Sequence, residues 1–182
     1  MRALCVFCGS SHGQSAIYAS EAKKLGRLLA GQGITLVWGG GHIGLMGVVA
    51  DAVLEGGGRT IGVIPSFMVE RELAHPRSTE MLVVGSMHER KARMAELVDA
   101  FAVLPGGYGT LEEFFEVLTW AQLGLHRKPI GLLNATGFFD PLLDLVRHQA
   151  DERFVQRQQL DLFFSEPSAD LLLERLRASA SS

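Results

Sequence analysis

Short runs of apolar and β-branched residues alternate along the chain with longer stretches in which apolar residues recur every three or four positions. The short runs are too evenly apolar for strands with one face in water. Strands buried on both faces read this way, and helices must then cover both sides of their sheet. The pattern predicts strands over 3–8, 34–38, 60–64, 81–84, 100–104 and 130–133, and helices over 15–31, 44–56, 87–99, 111–124, 141–151 and 168–178. Regular βα alternation of this kind builds one doubly wound, Rossmann-like α/β domain over residues 1–182, a parallel sheet with helices on both faces. The last four residues, "SASS", are expected to fray. Local punctuation agrees: Ser86 with Glu89, and Thr110 with Glu113, have capping-box spacing. Asp140 before Pro141 reads as a helix start, and Gly56–Gly58 as a helix end. The segment from Pro65 to Glu80 is the one long irregular connection, and such loops are often functional.

Three glycine-rich turns, "CGSSHG" (8–13), "GGGHIGLMG" (39–47) and "PGGYGT" (105–110), each follow a strand and precede a helix. In a doubly wound sheet that places them at the carboxyl edge, where ligands bind and helix amino termini present free N–H groups to anions. Gly9 and Ser10 in the first turn, and Gly40, Gly41 and Gly44 in the second, are therefore candidate phosphate or nucleotide contacts. Gly39, Gly41 and Gly44 also satisfy G-x-G-x-x-G. A dinucleotide site further requires an acid at the end of the next strand, which here reads "IGVIPSF", and it belongs in the first βα turn. NAD is thereby excluded, as is a Walker site, since no G-K-[ST] occurs. A mononucleotide or sugar phosphate remains. The third turn adds a paradox, because Glu112 and Glu113 stand at the lip of an anion cradle.

Composition narrows the partners. Of the 182 residues, 47% are hydrophobic and 20% charged, and the net charge of -3 gives no reason to expect nucleic acid. No apolar run approaches the roughly 20 residues that span a bilayer, and the amino terminus carries no basic leader, so a cytoplasmic protein without membrane association is expected. Cys5 and Cys8 form C-x-x-C, but within or at the end of a strand residues three apart face opposite ways, so both are expected as buried thiols. The six histidines show no metal-ligand spacing and no aspartate cluster is present, so no metal or other cofactor is expected.

On the helix starting after Ser86, Arg90 shares a face with Met94 and Leu97 at the head of an apolar stripe. An inward arginine is costly unless it meets an anion, so Arg90 is expected to contact a ligand. Arg93 lies in a ladder with Glu89 and Glu96 that looks solvated, and Lys91 is free to reach either way. Periodicity does not separate Glu112 from Glu113, and Glu113 has a purely structural alternative as the capping partner of Thr110. The following helix, "FFEVLTWAQLGL", is apolar around most of its circumference. Either a homodimer or a larger core would cover the surplus.

The segments "CVFCGSS", "GGGHIGLMGVVADA", "GVIP", "SMHERKARM" and "DAFAVLPGGYGTLEEFFEVLTWAQLGLHRKPIGLLN" resemble the Lonely Guy family of cytokinin riboside 5′-monophosphate phosphoribohydrolases over roughly residues 1–150. The resemblance implies catalytic roles for Arg90 and Glu113. It implies nucleotide contacts from Glu72, Arg90, Lys91, the run Gly107, Tyr108, Gly109, Thr110, Leu111, Glu112 and Glu113, and Thr119, in a homodimer. The implied reaction converts AMP or an N6-modified adenosine monophosphate to free base and ribose 5-phosphate. Cleaving that bond makes the sugar electron-poor while the phosphate stays anionic, so one pocket needs a carboxylate at one end and amide donors at the other. Arg90 would bind phosphate or assist departure of the base. Some relatives carry the label lysine decarboxylase, which four lysines and no evident pyridoxal body do not support. Trp38, where many relatives have tyrosine, and "AHPRSTEM" depart from the family pattern near Glu72. The alternative on the same fold is a non-catalytic carrier of a phosphorylated cofactor such as the molybdenum cofactor.

Overall fold

A computed structural model describes residues 1–69 and 73–180. Seven parallel strands form one sheet: β1 (Ala3–Phe7), β2 (Thr35–Trp38), β3 (Thr60–Pro65), β4 (Glu80–Val84), β5 (Ala100–Val103), β6 (Ile130–Leu133) and β7 (Phe164–Glu166), in the order β4-β3-β2-β1-β5-β6-β7. The chain winds outward from β1 to β4, then crosses back to lay β5 on the other side of β1. That reversal opens a crevice at the carboxyl ends of β1 and β5.

Among the described residues seven α-helices cover the sheet: α1 (Ala16–Gly31), α2 (Gly44–Glu55), α3 (Ser66–Val69), α4 (Met87–Glu96), α5 (Tyr108–Gln122), α6 (Asp140–Asp151) and α7 (Ala169–Ser179). Two cores result. Leu25 and Leu29 of α1, Val49 and Val53 of α2, and Leu172 and Leu176 of α7 pack on one face with Leu4, Val6 and Cys8. Met94 of α4, Phe114 and Val117 of α5, and Val146 of α6 pack on the other with Cys5 and Phe7. The two cysteines are thus buried, unbonded and on opposite faces, as strand alternation requires.

The expected strands and helices are present, with several corrections. β7 closes the far edge over three residues too short to show a period. The 65–80 connection contains α3, and its Ala74 makes an isolated antiparallel bridge to Gly41. Helix α5 begins at Tyr108 with Gly107 as its cap, three residues earlier than expected, so Thr110 lies inside the first turn and the Thr110–Glu113 capping box does not form. Asp140 likewise stands in the first turn of α6, behind the cap residue Phe139. Of the Ser86–Glu89 box, the Ser86 hydroxyl accepts from the Glu89 N–H at 3.1 Å, but the Glu89 carboxylate accepts from Gly85.

The start of α2 shows how the sheet edge is sealed. Gly44 has φ +59°, and a Cβ there would lie 2.2 Å from the carbonyl carbon of Ser10. The Leu45 N–H then reaches the Gly9 carbonyl at 3.0 Å, tying the second turn to the first. Gly44→Ala is expected to lose about 2 kcal/mol or more, because left-handed strain adds to a backbone clash. Gly57→Ala, at φ +74° in open space, should lose only about 1 kcal/mol; urea titration of both variants compares them.

Candidate active site

The third glycine-rich turn leads from β5 into α5 at the switch point, and its glycines divide by function. A Cβ on Gly106 would lie 2.1 Å from the Thr110 hydroxyl oxygen, so this glycine is needed for packing. Gly107 and Gly109 face open space, where a side chain would meet nothing within 4 Å. Packing does not require them; their bareness leaves the first-turn N–H groups of α5 accessible from outside. Tyr108 between them is 95% exposed, which removes it as a wall of the pocket in the isolated chain. Beside this turn a cavity of about 210 Å³ is lined by Gly9, Ser10, Ser11, Tyr18, Gly107 and Phe138, among others. A larger hollow of about 540 Å³ lies between α1 and α7 near Met1, at the opposite edge of the sheet.

Arg90 is buried, as its apolar stripe predicts, and its environment is fully specified. Nε donates to the Val63 carbonyl at 3.0 Å and Nη2 to the Gly39 carbonyl at 2.9 Å. Nη1 lies 3.8 Å from Glu113 Oε1, with the Met87 sulfur also at 3.8 Å. Gly39 is glycine for this reason: a Cβ would stand 1.8 Å from Nη2. The guanidinium is thereby fixed by β3 and the turn after β2, with its remaining edge toward α5.

The helix resolves which glutamate faces inward. Glu113 is 12% exposed and opposes Arg90, whereas Glu112 is 54% exposed and pairs with Lys91. Lys91 is buried between Glu112 and Glu116, the latter at 3.1 Å. Burial works against its charge, but the hydrogen bonds to Glu112 and Glu116 outweigh that and hold its pKa above the ordinary lysine value. Lys91 thus enters the site protonated, with its charge already paired. Burial pushes the Glu113 carboxyl up to about 7, against the downward pull of Arg90, with Glu112 and Glu116 adding to the rise. A carboxyl poised there exchanges its proton near neutrality, as general acid–base work requires.

Of the other candidates, Gly9 and Ser10 line the cavity beside the third turn. The Gly9 N–H donates to the Pro105 carbonyl, so this glycine joins the first turn to the third. Ser10 is exposed at the cavity rim. Gly40 accepts from the His75 N–H at 2.7 Å and Gly41 bridges Ala74, so the second turn is occupied by its own chain. Leu111 is half-buried on α5. Thr119 lies six residues, about 9 Å, beyond Glu113 on α5, exposed, with its hydroxyl donating to the Phe115 carbonyl at 2.7 Å. Glu72 lies outside the described residues. Arg93 pairs with Glu96 on the solvated face. Glu116 was not singled out by the sequence pattern, although its i+4 spacing from Glu112 is the signal that places both on Lys91.

A doubly wound α/β protein with an acid–guanidinium pair beside an open helix amino terminus is the class these features define. Residues 46–176 match the family described as "Possible lysine decarboxylase". The chain is 50% identical over 175 residues to the cytokinin riboside 5′-monophosphate phosphoribohydrolase LOG of Oryza sativa subsp. japonica, covering 96% of this chain and 72% of that one. A cytokinin riboside 5′-monophosphate phosphoribohydrolase of Arabidopsis thaliana is 48% identical over 179 residues, 98% of this chain and 83% of its own. The chain belongs to the Lonely Guy family of cytokinin riboside 5′-monophosphate phosphoribohydrolases. Among solved structures, the molybdenum cofactor binding protein from Rippkaea orientalis superposes with a TM-score of 0.74 at 22% identity, covering 97% of this chain and 96% of that one. The molybdenum cofactor carrier protein from Chlamydomonas reinhardtii gives 0.74 at 19%, covering 100% and 99%. At such identities the likeness concerns the fold. Among the described residues no helix is long and apolar enough to cross a membrane.

The raised carboxyl pKa has a consequence for stability. An acid whose folded pKa, about 7, exceeds its ordinary 4.5 binds its proton more tightly when folded, so stability is full below 4.5 and falls as pH rises through 7. Glu113→Gln removes this penalty. Its stability relative to wild type should increase by about 3 kcal/mol between pH 4 and pH 8, measured by urea unfolding; a difference independent of pH would contradict the shift.

Proposed function

We propose that this chain hydrolyses the N-glycosidic bond of AMP or an N6-modified adenosine 5′-monophosphate, giving free base and ribose 5-phosphate. The observation that carries this is Glu113, buried opposite Arg90 and one helical turn beyond bare amides that suit a phosphate. The names of the rice and Arabidopsis relatives state the same reaction class.

On this reading acids can stand beside an anion cradle. Glu112 is engaged by Lys91, so it adds little repulsion at the mouth. Glu113 faces the opposite partner, Arg90, and is set back within the helix. The 5′-phosphate takes the N–H groups at the start of α5, and the sugar comes to lie over Glu113. As the base departs, positive charge grows on the anomeric carbon and ring oxygen, and ionised Glu113 stabilises it or orients the attacking water. Arg90, held by two carbonyls, presents one remaining edge to phosphate or departing base. Lys91, protonated and paired, is unsuited to attack as an amine, so a lysine-based decarboxylation finds no nucleophile in this site.

The protein works as a homodimer in this account. Leu123 and Leu125, at the end of α5, are 68% and 69% exposed, and Phe154 is 85% exposed. Part of the apolar surplus of α5 is met within the chain, where Phe115 and Leu118 border a hollow with Val146 and Phe163. Thr119 lies on the same outer side, where a second copy would cover it.

Purified protein incubated with AMP should release adenine and ribose 5-phosphate. Glu113→Gln should lower kcat by a thousandfold or more while AMP affinity changes less than about threefold. Wild-type turnover in that variant would reduce Glu113 to a structural role, and tight binding of AMP without release by the wild type would favour a carrier.

A further inference from the structure

Arg90 is seated by the Gly39 carbonyl, and the turn that carries this carbonyl is braced by a second segment. It is held from the far side by residues 73–77. The His42 N–H donates to the Leu73 carbonyl at 3.2 Å, Gly41 bridges Ala74, and the His75 N–H donates to the Gly40 carbonyl at 2.7 Å. The His75 side chain, 3% exposed, anchors 73–77 in turn. Its Nε2 meets Asp51 Oδ1 of α2 at 3.3 Å, and its ring stands edge-on to Trp38, 6.0 Å between centroids at 78°. The Trp38 indole N–H donates to the Gly41 carbonyl at 3.0 Å, closing the circuit on the same turn.

The tautomer follows from the bonds. The Arg77 backbone N–H donates to His75 Nδ1 at 3.2 Å, so Nδ1 is an acceptor and the ring proton sits on Nε2, donated to Asp51. Burial lowers the His75 pKa; Asp51 pulls it up, while Arg77 and His42, its other charged or titratable neighbours among the described residues, push it down. Neutral imidazole is the form that satisfies both bonds at once. Asp51 also accepts from the Arg77 guanidinium, which anchors it.

We infer that His75 is a positioning residue for the reaction: with Asp51 and Trp38 it clamps the 39–42 turn, and so fixes the carbonyl on which Arg90 rests opposite Glu113. Nothing in the clamp touches the reacting atoms. Its effect passes through Gly39 to Arg90, where a displacement of about 1 Å is enough to cost on the order of a hundredfold in rate. The inference rests on the proposed hydrolysis, and it adds a role for a histidine that no metal or nucleophile pattern picks out.

The test compares His75→Ala, Asp51→Ala, the double variant and His75→Gln, all at a temperature where each is fully folded by circular dichroism. His75→Ala and Asp51→Ala should each lower kcat/KM for AMP tenfold or more and weaken AMP binding measurably by calorimetry. The double variant should be no worse than either single one, because both break one clamp. His75→Gln keeps a donor toward Asp51 and should recover to within about threefold of wild type. Wild-type kcat/KM and AMP affinity in folded His75→Ala would overturn the inference, as would His75→Gln being as impaired as His75→Ala, which would mean packing alone. If the wild type binds AMP but releases no adenine, the proposed function fails, and the clamp is then judged on the AMP affinities of the same four variants.

Discussion

The whole site depends on one buried pair, Arg90 and Glu113, 3.8 Å apart at the switch point of the sheet. Attraction between opposite charges at that distance is worth a few kcal/mol in a partly solvated interior, which favours the ionised carboxylate. Withdrawal from water opposes it and prevails, leaving the carboxyl near 7. A tighter ion pair would have fixed the charge, and a looser one would have solvated it. The separation keeps Glu113 responsive to what enters the pocket, while Arg90, bonded to the Val63 and Gly39 carbonyls, stays in place.

Around that pair the three glycine-rich turns divide the labour. The first and second hold the sheet edge together, through Gly9 to Pro105 and Leu45 to Gly9. The second also seats Arg90, through a glycine with no room for a side chain. The third alone leaves glycines facing open space. The proposed anion site and the carboxylate can coexist because the helix presents them on successive turns: amides at its mouth, Glu113 within, and Glu112 turned aside onto Lys91.

Much of this was legible in the chain. Continuous apolar runs alternating with helices specify a parallel sheet covered on both faces, because the runs need cover on both sides and the helices between them supply it. Arg90 announced itself as a charge on an apolar stripe. Periodicity could not choose between Glu112 and Glu113, since adjacent residues differ by only about 100° around a helix. The choice came from the partners Lys91 and Arg90, which lie on a different element. The capping-box expectation for Thr110 failed because Gly107, with no side chain to signal it, starts the helix a turn earlier. Gly39 was visible, but its purpose required knowing that a guanidinium from 51 residues away would rest against it. The three-residue β7 and the His75 clamp depend on contacts between distant segments, which no local pattern encodes.

The account stands on the protonation of a single carboxyl, and carbon-13 NMR of protein labelled at glutamate side-chain carboxyls reads it directly. The resonance absent from Glu113→Gln should titrate with a midpoint near 7, well above the ordinary 4.5. A midpoint at the ordinary value would mean that Glu113 is solvated and not buried beside Arg90, and the account would be contradicted.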